Sequence, residues 1–425
     1  MLSDFFVPRP IEPPVVQTAL GGEYCRAACW GPETLFRLVG ELNRGARVLR
    51  EVPDEALLDA WSDTVEAFLD FGSPEREMLE SPLGDLCRLS PAGLVAGLEA
   101  VLGGVRREHA AALIEGTEPV PPEAGPVLVV LASNLPALAV QPLLPALALR
   151  RPVLLKSPSA EPLFAPAFLA SLASREPRLA AAMAAVTWPG GERRLETPVL
   201  AGVGTVVAYG EKRTLEDLAR RAPGRLVGYG PKTSLALIGA SAEPEQVARG
   251  LARDAALFDQ RGCLSIAAVY TEGDPLELAE SLSHALLEES WRLPAGLTDA
   301  ATLAAVQQVR LEAEMRDLVM PEMPVAAGTV VVDPDTTFRL SPGLRTVRIH
   351  PVDDLARVPW LLARWKDRLQ GAALAGEEAW ELEDRLRKDL GISRCAAPGD
   401  LQSPDATWHN GGISPLEALR GVTVT

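Results

Sequence analysis

Cys263 is the residue of this sequence best placed for covalent chemistry. It lies in Phe258-Asp259-Gln260-Arg261-Gly262-Cys263-Leu264-Ser265, between a helical pattern over 244–257 and a strand-like run over 265–271. A free cysteine is more often a small buried hydrophobe than a nucleophile. Two features of this turn favour the second reading. Gly262 permits close backbone approach or an unusual dihedral, and the polar neighbours leave the thiol reachable. A positive charge such as Arg261 would favour the thiolate, the nucleophilic form. No histidine lies near Cys263 in sequence, so the local pattern names no general base.

Three further stretches put polar groups where apolar runs end. Asn134, in Ala132-Ser133-Asn134-Leu135-Pro136, could donate an uncharged N–H to a developing oxyanion; it could equally bond its own backbone in a turn before proline. Lys156-Ser157-Pro158-Ser159 offers an ammonium and hydroxyls to ribose or phosphate oxygens, or is a solvated loop. Tyr209-Gly210-Glu211-Lys212-Arg213-Thr214 turns from strand to helix at a glycine, where free N–H groups attract anions. Gly202-x-Gly204 begins like a dinucleotide fingerprint, but Val207 fills its third small position.

The elements that would hold these groups alternate. Apolar strand-length runs over 127–132, 153–156, 185–188, 203–209, 234–239 and 265–271 are separated by helical patterns over 136–149, 161–173, 214–221 and 244–257. Such alternation implies βαβ units and parallel sheet covered on both faces. In parallel sheets ligands collect at the carboxyl ends of the strands. Residues 32–104 are helical in pattern, with Asp54 and Ser90-Pro91 as helix starts. The proline-rich first 20 residues are expected to lie over the surface. Helices over 275–292 and 298–318, strands over 329–332 and 345–349, mostly helix over 359–390 and an irregular tail complete the pattern.

Composition narrows the class. The 425 residues are 47% hydrophobic and 23% charged, as in an ordinary globular protein. A formal charge of −16 argues against non-specific binding to nucleic acid or to anionic membranes. Five scattered cysteines form no disulfide framework and fit a reducing cytoplasm, and four distant histidines give no metal-ligand pattern. Met1-Leu2-Ser3-Asp4 does not read as a signal peptide. Residues 127–149 carry no formal charge, but Asn134, Gln141, Pro136, Pro142 and Pro145 favour a buried strand, loop and helix over a membrane span.

Taken in order, these stretches resemble the aldehyde dehydrogenase superfamily. Ser133-Asn134-Leu135-Pro136 is similar to its asparagine motif and Leu155-Lys156-Ser157-Pro158-Ser159 to its Lys-Pro-Ser motif. The Gly210 turn is similar to its phosphate-side turn. Val227-Gly228-Tyr229-Gly230-Pro231-Lys232 falls where Leu-Glu-Leu-Gly-Gly-Lys is usual, and Cys263 follows Gly228 by 35 residues (263 − 228). Within the superfamily the chain resembles the LuxC-like long-chain acyl-CoA and acyl-protein reductases. Asp259-Gln260 before Cys263 looks like their Asp-Gln-x-x-Cys signature, and Trp408-His409-Asn410-Gly411-Gly412 like their Trp-His-x-Asp-Gly close, with asparagine for the acid.

The resemblance implies an α/β fold with a Rossmann-type cofactor domain (121–232), an α/β catalytic domain (233–398), a helical segment over 1–120 and a tail over 399–425. It implies Cys263 as nucleophile and Asn134 as oxyanion donor. Lys156, Ser157, Ser159, Gly210, Lys212, Arg213 and Gly230 become the cofactor-binding candidates, for NADPH or alternatively NADH. Lys212 or Arg213 could meet a 2′-phosphate. Gly228 replaces the glutamate with which hydrolytic members activate water, so the adduct on Cys263 is expected to be reduced to an aldehyde. The implied substrate is a fatty acyl-CoA or acyl-protein, and an acyl-transferring partner subunit and a homo-oligomer are implied by analogy. Reduction of an acyl phosphate and a catalytically silent partner subunit are the alternatives.

Overall fold

The structure, a computed structural model, describes residues 2–420. Its strands are β1 (Leu2–Ser3), β2 (Val15–Leu20), β3 (Glu23–Ala28), β4 (Val127–Val130), β5 (Val153–Ser157), β6 (Met183–Thr187), β7 (Thr205–Tyr209), β8 (Arg225–Tyr229), β9 (Thr233–Ile238), β10 (Ile266–Thr271), β11 (Thr329–Val332), β12 (Thr346–Pro351), β13 (Leu369–Ala375) and β14 (Arg394–Ala396). They form two larger sheets and a small one.

The first large sheet has the order β6-β5-β4-β7-β8, parallel throughout. Its centre is buried on both faces, which is why β4 and β5 read as unbroken apolar runs. Val127 and Val129 join a core built with the helices Asp54–Leu69, Val140–Ala148 and Phe164–Arg175. Leu128 faces the other way, onto Leu35, Leu38, Val39 and Leu42 of the helix Pro32–Arg50. The order reverses between β4 and β7, so a crevice opens at their carboxyl ends.

The second large sheet, β11-β12-β10-β9-β13-β14, is also parallel. The helices Pro244–Ala256 and Pro275–Arg292 cover one face and the segment around Val358–Leu362 and Glu383–Leu390 the other.

One expectation holds as stated and others change. Residues 127–149 are a strand, a loop and the helix Val140–Ala148, and among the described residues no single helix is long and apolar enough to cross a membrane. The first 20 residues are not simply surface coil: β2 and β3 pair antiparallel, and β1 adds parallel to β3. The stretch 359–390 is helical on both sides, as expected, but β13 runs through its middle as an inner strand of the second sheet. Pro145, inside the helix Val140–Ala148, is tolerated within a buried apolar segment.

Candidate active site

A cleft of about 1380 Å³ separates the carboxyl edge of the first sheet from the amino edge of the second. From the first sheet it takes the segments that follow β4, β5, β7 and β8. From the second it takes Lys232 before β9, Leu264 before β10 and Gln370 at the start of β13. Cys263, Asn134, Lys156, Ser159, Gly210, Arg213 and Gly230 all line it. Ser157 and Lys212 do not. Ser157 is buried in β5 with its hydroxyl unpartnered, and Lys212 points to solvent and pairs with Glu216 at 3.8 Å. Gly202 and Gly204 lie before β7, at the opposite end of the strand from the cleft.

Cys263 is held by an unusual loop. Phe258, Asp259 and Gln260 have φ of 58°, 50° and 63°, three consecutive left-handed residues, none of them glycine. Each such residue costs about 1–3 kcal/mol and persists only where surroundings over-determine it. Here they do. The Asp259 carboxylate accepts from Arg345 Nη2 and from the Gly296 N–H, both at 3.0 Å. Gln260 donates from Nε2 to the carbonyls of Ile266 (2.6 Å) and Thr346 (2.9 Å), and its Oε1 accepts from the Thr346 N–H (2.8 Å) and Ser341 Oγ (3.0 Å). Both side chains thus tie the loop to the segment around the start of β12.

The N-terminal helices buttress the same loop. The Phe258 ring fills the space beside Gly97, where a Cβ would come within 2.9 Å of it. Arg261 donates from Nη1 to the Cys87 carbonyl at 2.8 Å and from Nε to the Phe258 carbonyl at 3.1 Å. Arg261, expected to favour the thiolate, is not among the groups that act on the Cys263 thiol: Nε and Nη1 donate to backbone carbonyls, and its charge acts on Cys87.

Lys232 is the cation that acts on Cys263. Desolvation pushes the half-buried thiol up to about 11, while its own N–H, Lys232 and the Leu264 N–H oppose that rise. The Lys232 ammonium, half-buried itself, is held by the Leu369 carbonyl at 3.3 Å, at the start of β13. The Cys263 carbonyl accepts from Ser234 Oγ at 3.0 Å, fixing the loop to β9. Asn134 reaches the loop from the other sheet: its Nδ2 donates to the Arg261 carbonyl at 3.2 Å. An amide nitrogen has two hydrogens, so one is left for a ligand.

The carboxylates lining the cleft are Glu196, Glu211 and Asp217. Glu196 and Asp217 are held by Arg221 at 2.6 and 2.7 Å, and Glu211 precedes the helix Lys212–Arg221 at the surface. None of them is among the groups that act on the Cys263 thiol. Gly228, in β8, lines the cleft and is exposed. At the other end the Lys156 ammonium lies 5.9 Å from the centre of the Trp188 ring. Burial lowers its pKa, and Glu196 opposes this.

The tail, read as irregular, forms part of the site. The Gly399 N–H donates to Asp254 at 2.8 Å, and Gln402 Oε1 accepts from Ser265 Oγ at 3.1 Å, pinning the tail beside the cysteine loop. The tail then brings Trp408, Asn410, Gly411 and Ile413 to the cleft. Asn410 Oδ1 accepts from Gln370 Nε2 at 2.8 Å. An amide suffices for that role, where the related motif has an acid.

The family model described as acyl-CoA reductase (LuxC) matches residues 117–421. A long-chain acyl-protein thioester reductase from Aliivibrio fischeri is 26% identical over 297 residues, covering 68% of this chain but 61% of the relative's own length. Among solved structures, aldehyde dehydrogenase 21 from Physcomitrella patens aligns with a TM-score of 0.74 at 12% identity, over 96% of this chain and 93% of that one. The NADP-dependent glyceraldehyde-3-phosphate dehydrogenase from Bacillus halodurans, complexed with NADP, aligns at 0.69 and 14% identity, over 94% and 91%. The fold is that of the aldehyde dehydrogenases.

Proposed function

Because the chain belongs to the acyl-CoA reductase (LuxC) family, we propose that it reduces a fatty acyl thioester, carried on CoA or on a protein, to the aldehyde. Cys263 attacks the acyl carbonyl, and its proton leaves with the departing carrier thiol. Lys232 and the backbone N–H groups of Cys263 and Leu264 favour the sulfur anion that attacks. Asn134 Nδ2 and the Cys263 N–H receive the oxyanion. The carrier departs and leaves an acyl group on Cys263. A bound reduced nicotinamide cofactor, NADPH or alternatively NADH, supplies the hydride that this acyl group accepts. Asn134 steadies the oxygen again as the carbon–sulfur bond breaks, the aldehyde leaves, and the Cys263 thiolate so released stays for the next turnover or takes a proton from solvent.

The cleft fits such a cofactor. Its volume exceeds the range usual for small-molecule sites. Lys156, Ser159 and the Gly210 turn would hold the ribose and phosphates, and Trp188 Nε1 is a buried donor without a partner on the same wall. Arg213 at the mouth favours a 2′-phosphate, and with it NADPH. The first large sheet is then the cofactor-binding unit and the second the catalytic one. An acyl-transferring partner and a homo-oligomer belong to the same reading, on the family likeness.

One observation supports the direction of the chemistry above others. Cys263 and Asn134 share a cleft in which Gly228 leaves the thiol without a carboxylate to activate water. Long-chain acyl-CoA with NADPH should yield fatty aldehyde with matching loss of NADPH absorbance, abolished in Cys263→Ala. Fatty acid as the main product, or undiminished turnover in that variant, rules the reading out.

A further inference from the structure

A narrow apolar slot opens off the main cleft beneath the C-terminal tail. Val101, Gln141, Tyr209, Tyr229, Trp408 and Ile413 line both spaces, so the two are continuous. Val105, Pro142, Pro145, Val207, Ala418 and Leu419 line the slot alone and form its inner part. Asp405, the one charged residue on its wall among the described residues, turns its carboxylate to the N–H (2.8 Å) and hydroxyl (2.6 Å) of Thr407. The slot measures about 50 Å³. A water-sized group needs at least ~10–15 Å³ on this measure, so there is room for roughly four methylene-sized groups. An apolar space of this kind does not hold water well.

The junction lies beside the nucleophile. Tyr209 lines both spaces, its ring stacks on Tyr229 at 4.9 Å, and it is close enough to Cys263 for the two to interact electrostatically. The tail wall is anchored on both sides of the slot. The Ala406 N–H donates to the Gly104 carbonyl at 2.8 Å, and a Cβ on Gly104 would come within 2.2 Å of the Pro404 carbonyl oxygen. At the inner end the Leu419 carbonyl accepts from Arg151 Nη1.

We propose that this slot seats the methylene chain of the acyl group on Cys263, with Val105 and Leu419 setting the length it admits. The proposal rests on the acyl-thioester reading above. It adds that the tail is a specificity wall, and that a chain exceeding the slot is admitted only with loss of tail contacts.

The test is the dependence of kcat/KM on chain length, from butanoyl- to hexadecanoyl-CoA, in wild type, Leu419→Ala, Val105→Ala and Ala418→Leu. Intact mass of the Cys263 adduct is recorded for every protein. Leu419→Ala and Val105→Ala each deepen the slot. The ratio of kcat/KM for longer over shorter chains should rise about fourfold per methylene newly seated, the equivalent of ~0.8 kcal/mol. Ala418→Leu fills the slot and should move the optimum to shorter chains. Ratios that stay within about twofold of wild type in all three variants overturn the proposal while leaving the acyl-thioester reading intact. A wild type that forms no adduct at any chain length overturns both.

Discussion

Gln260→Ala tests whether the strained loop positions the nucleophile. The side chain makes the hydrogen bonds to Ile266, Thr346 (both its N–H and its carbonyl) and Ser341 described above. At ~0.5–1.5 kcal/mol each, these four restrain the loop by roughly 2–6 kcal/mol. The three left-handed residues store roughly 3–9 kcal/mol, at about 1–3 each. The two sums are comparable, so removing Gln260 should let the backbone relax toward ordinary dihedrals and carry Cys263 with it. A misplacement of ~1 Å costs on the order of 100-fold in rate. Asp259 is the poorer choice, because its loss strands the buried Arg345 guanidinium, a change costing about 3–5 kcal/mol in fold stability. The assay is a quenched time course of acylation from acyl-CoA read by intact mass, with a melting curve of the same sample. The single-turnover acylation rate should fall on the order of 100-fold, with little change in the acyl-CoA concentration that gives half the maximal rate. Acylation at the wild-type rate, in a protein whose melting temperature has nonetheless dropped, would show that Gln260 serves the fold alone and would refute this reasoning.

Lys232→Met removes the cation that opposes the rise of the Cys263 thiol, so the pH midpoint of its alkylation by iodoacetamide should move above about 11; an unmoved midpoint contradicts the assignment of Lys232. Gly228→Glu restores a carboxylate whose Cβ has the flexible Leu215 side chain as its nearest neighbour, at 3.3 Å. Without cofactor, that variant should release fatty acid from the acyl adduct at least about tenfold faster than wild type, an effect of ~1.4 kcal/mol or more. Buried Glu161 has its pKa raised to about 7 by desolvation. The folded state therefore keeps a proton there that the unfolded state loses from about pH 4.5 upward, so this group's contribution is fully present below that pH and is lost by about pH 7. The decline is on the order of 3 kcal/mol. Glu161→Gln, which can still accept from the Leu163 and Phe164 N–H groups, should lessen the fall in melting temperature between pH 5 and 8, the remainder belonging to buried Asp254, whose pKa is also raised to about 7; an unchanged slope counts against it.

What the sequence made legible follows from how each part is stabilised. Strands β4, β5, β9 and β10 are apolar runs of strand length bounded by turns, and their alternation with helices marks the parallel sheets. Strand β13, Leu-Gln-Gly-Ala-Ala-Leu-Ala, is buried on both faces, so it lacks period-two patterning and its alanines and leucines suit a helix as well. The β2–β3 hairpin is largely exposed and has no apolar face to reveal it. Cys263 and Asn134 could be located because their turns join recognisable elements. Lys232 could not, because its relation to Cys263 arises only when β9 and β10 pair. The loop strain was equally hidden: phenylalanine, aspartate and glutamine announce no left-handed backbone, and the hydrogen bonds that hold them come from Arg345, Thr346 and Ser341, distant in sequence. The tail has little regular structure, yet its anchors at Asp254, Ser265 and Gly104 make it a wall of the site.

The central claim is that an acyl group passes through Cys263 and is then reduced. It is tested most directly by intact-mass analysis of the protein mixed with labelled long-chain acyl-CoA, before and after NADPH is added. One acyl adduct, mapped to Cys263, should form and then disappear on addition of NADPH as an equal amount of labelled aldehyde forms. An absent adduct, the same adduct in Cys263→Ala, or an adduct that NADPH leaves in place would contradict it.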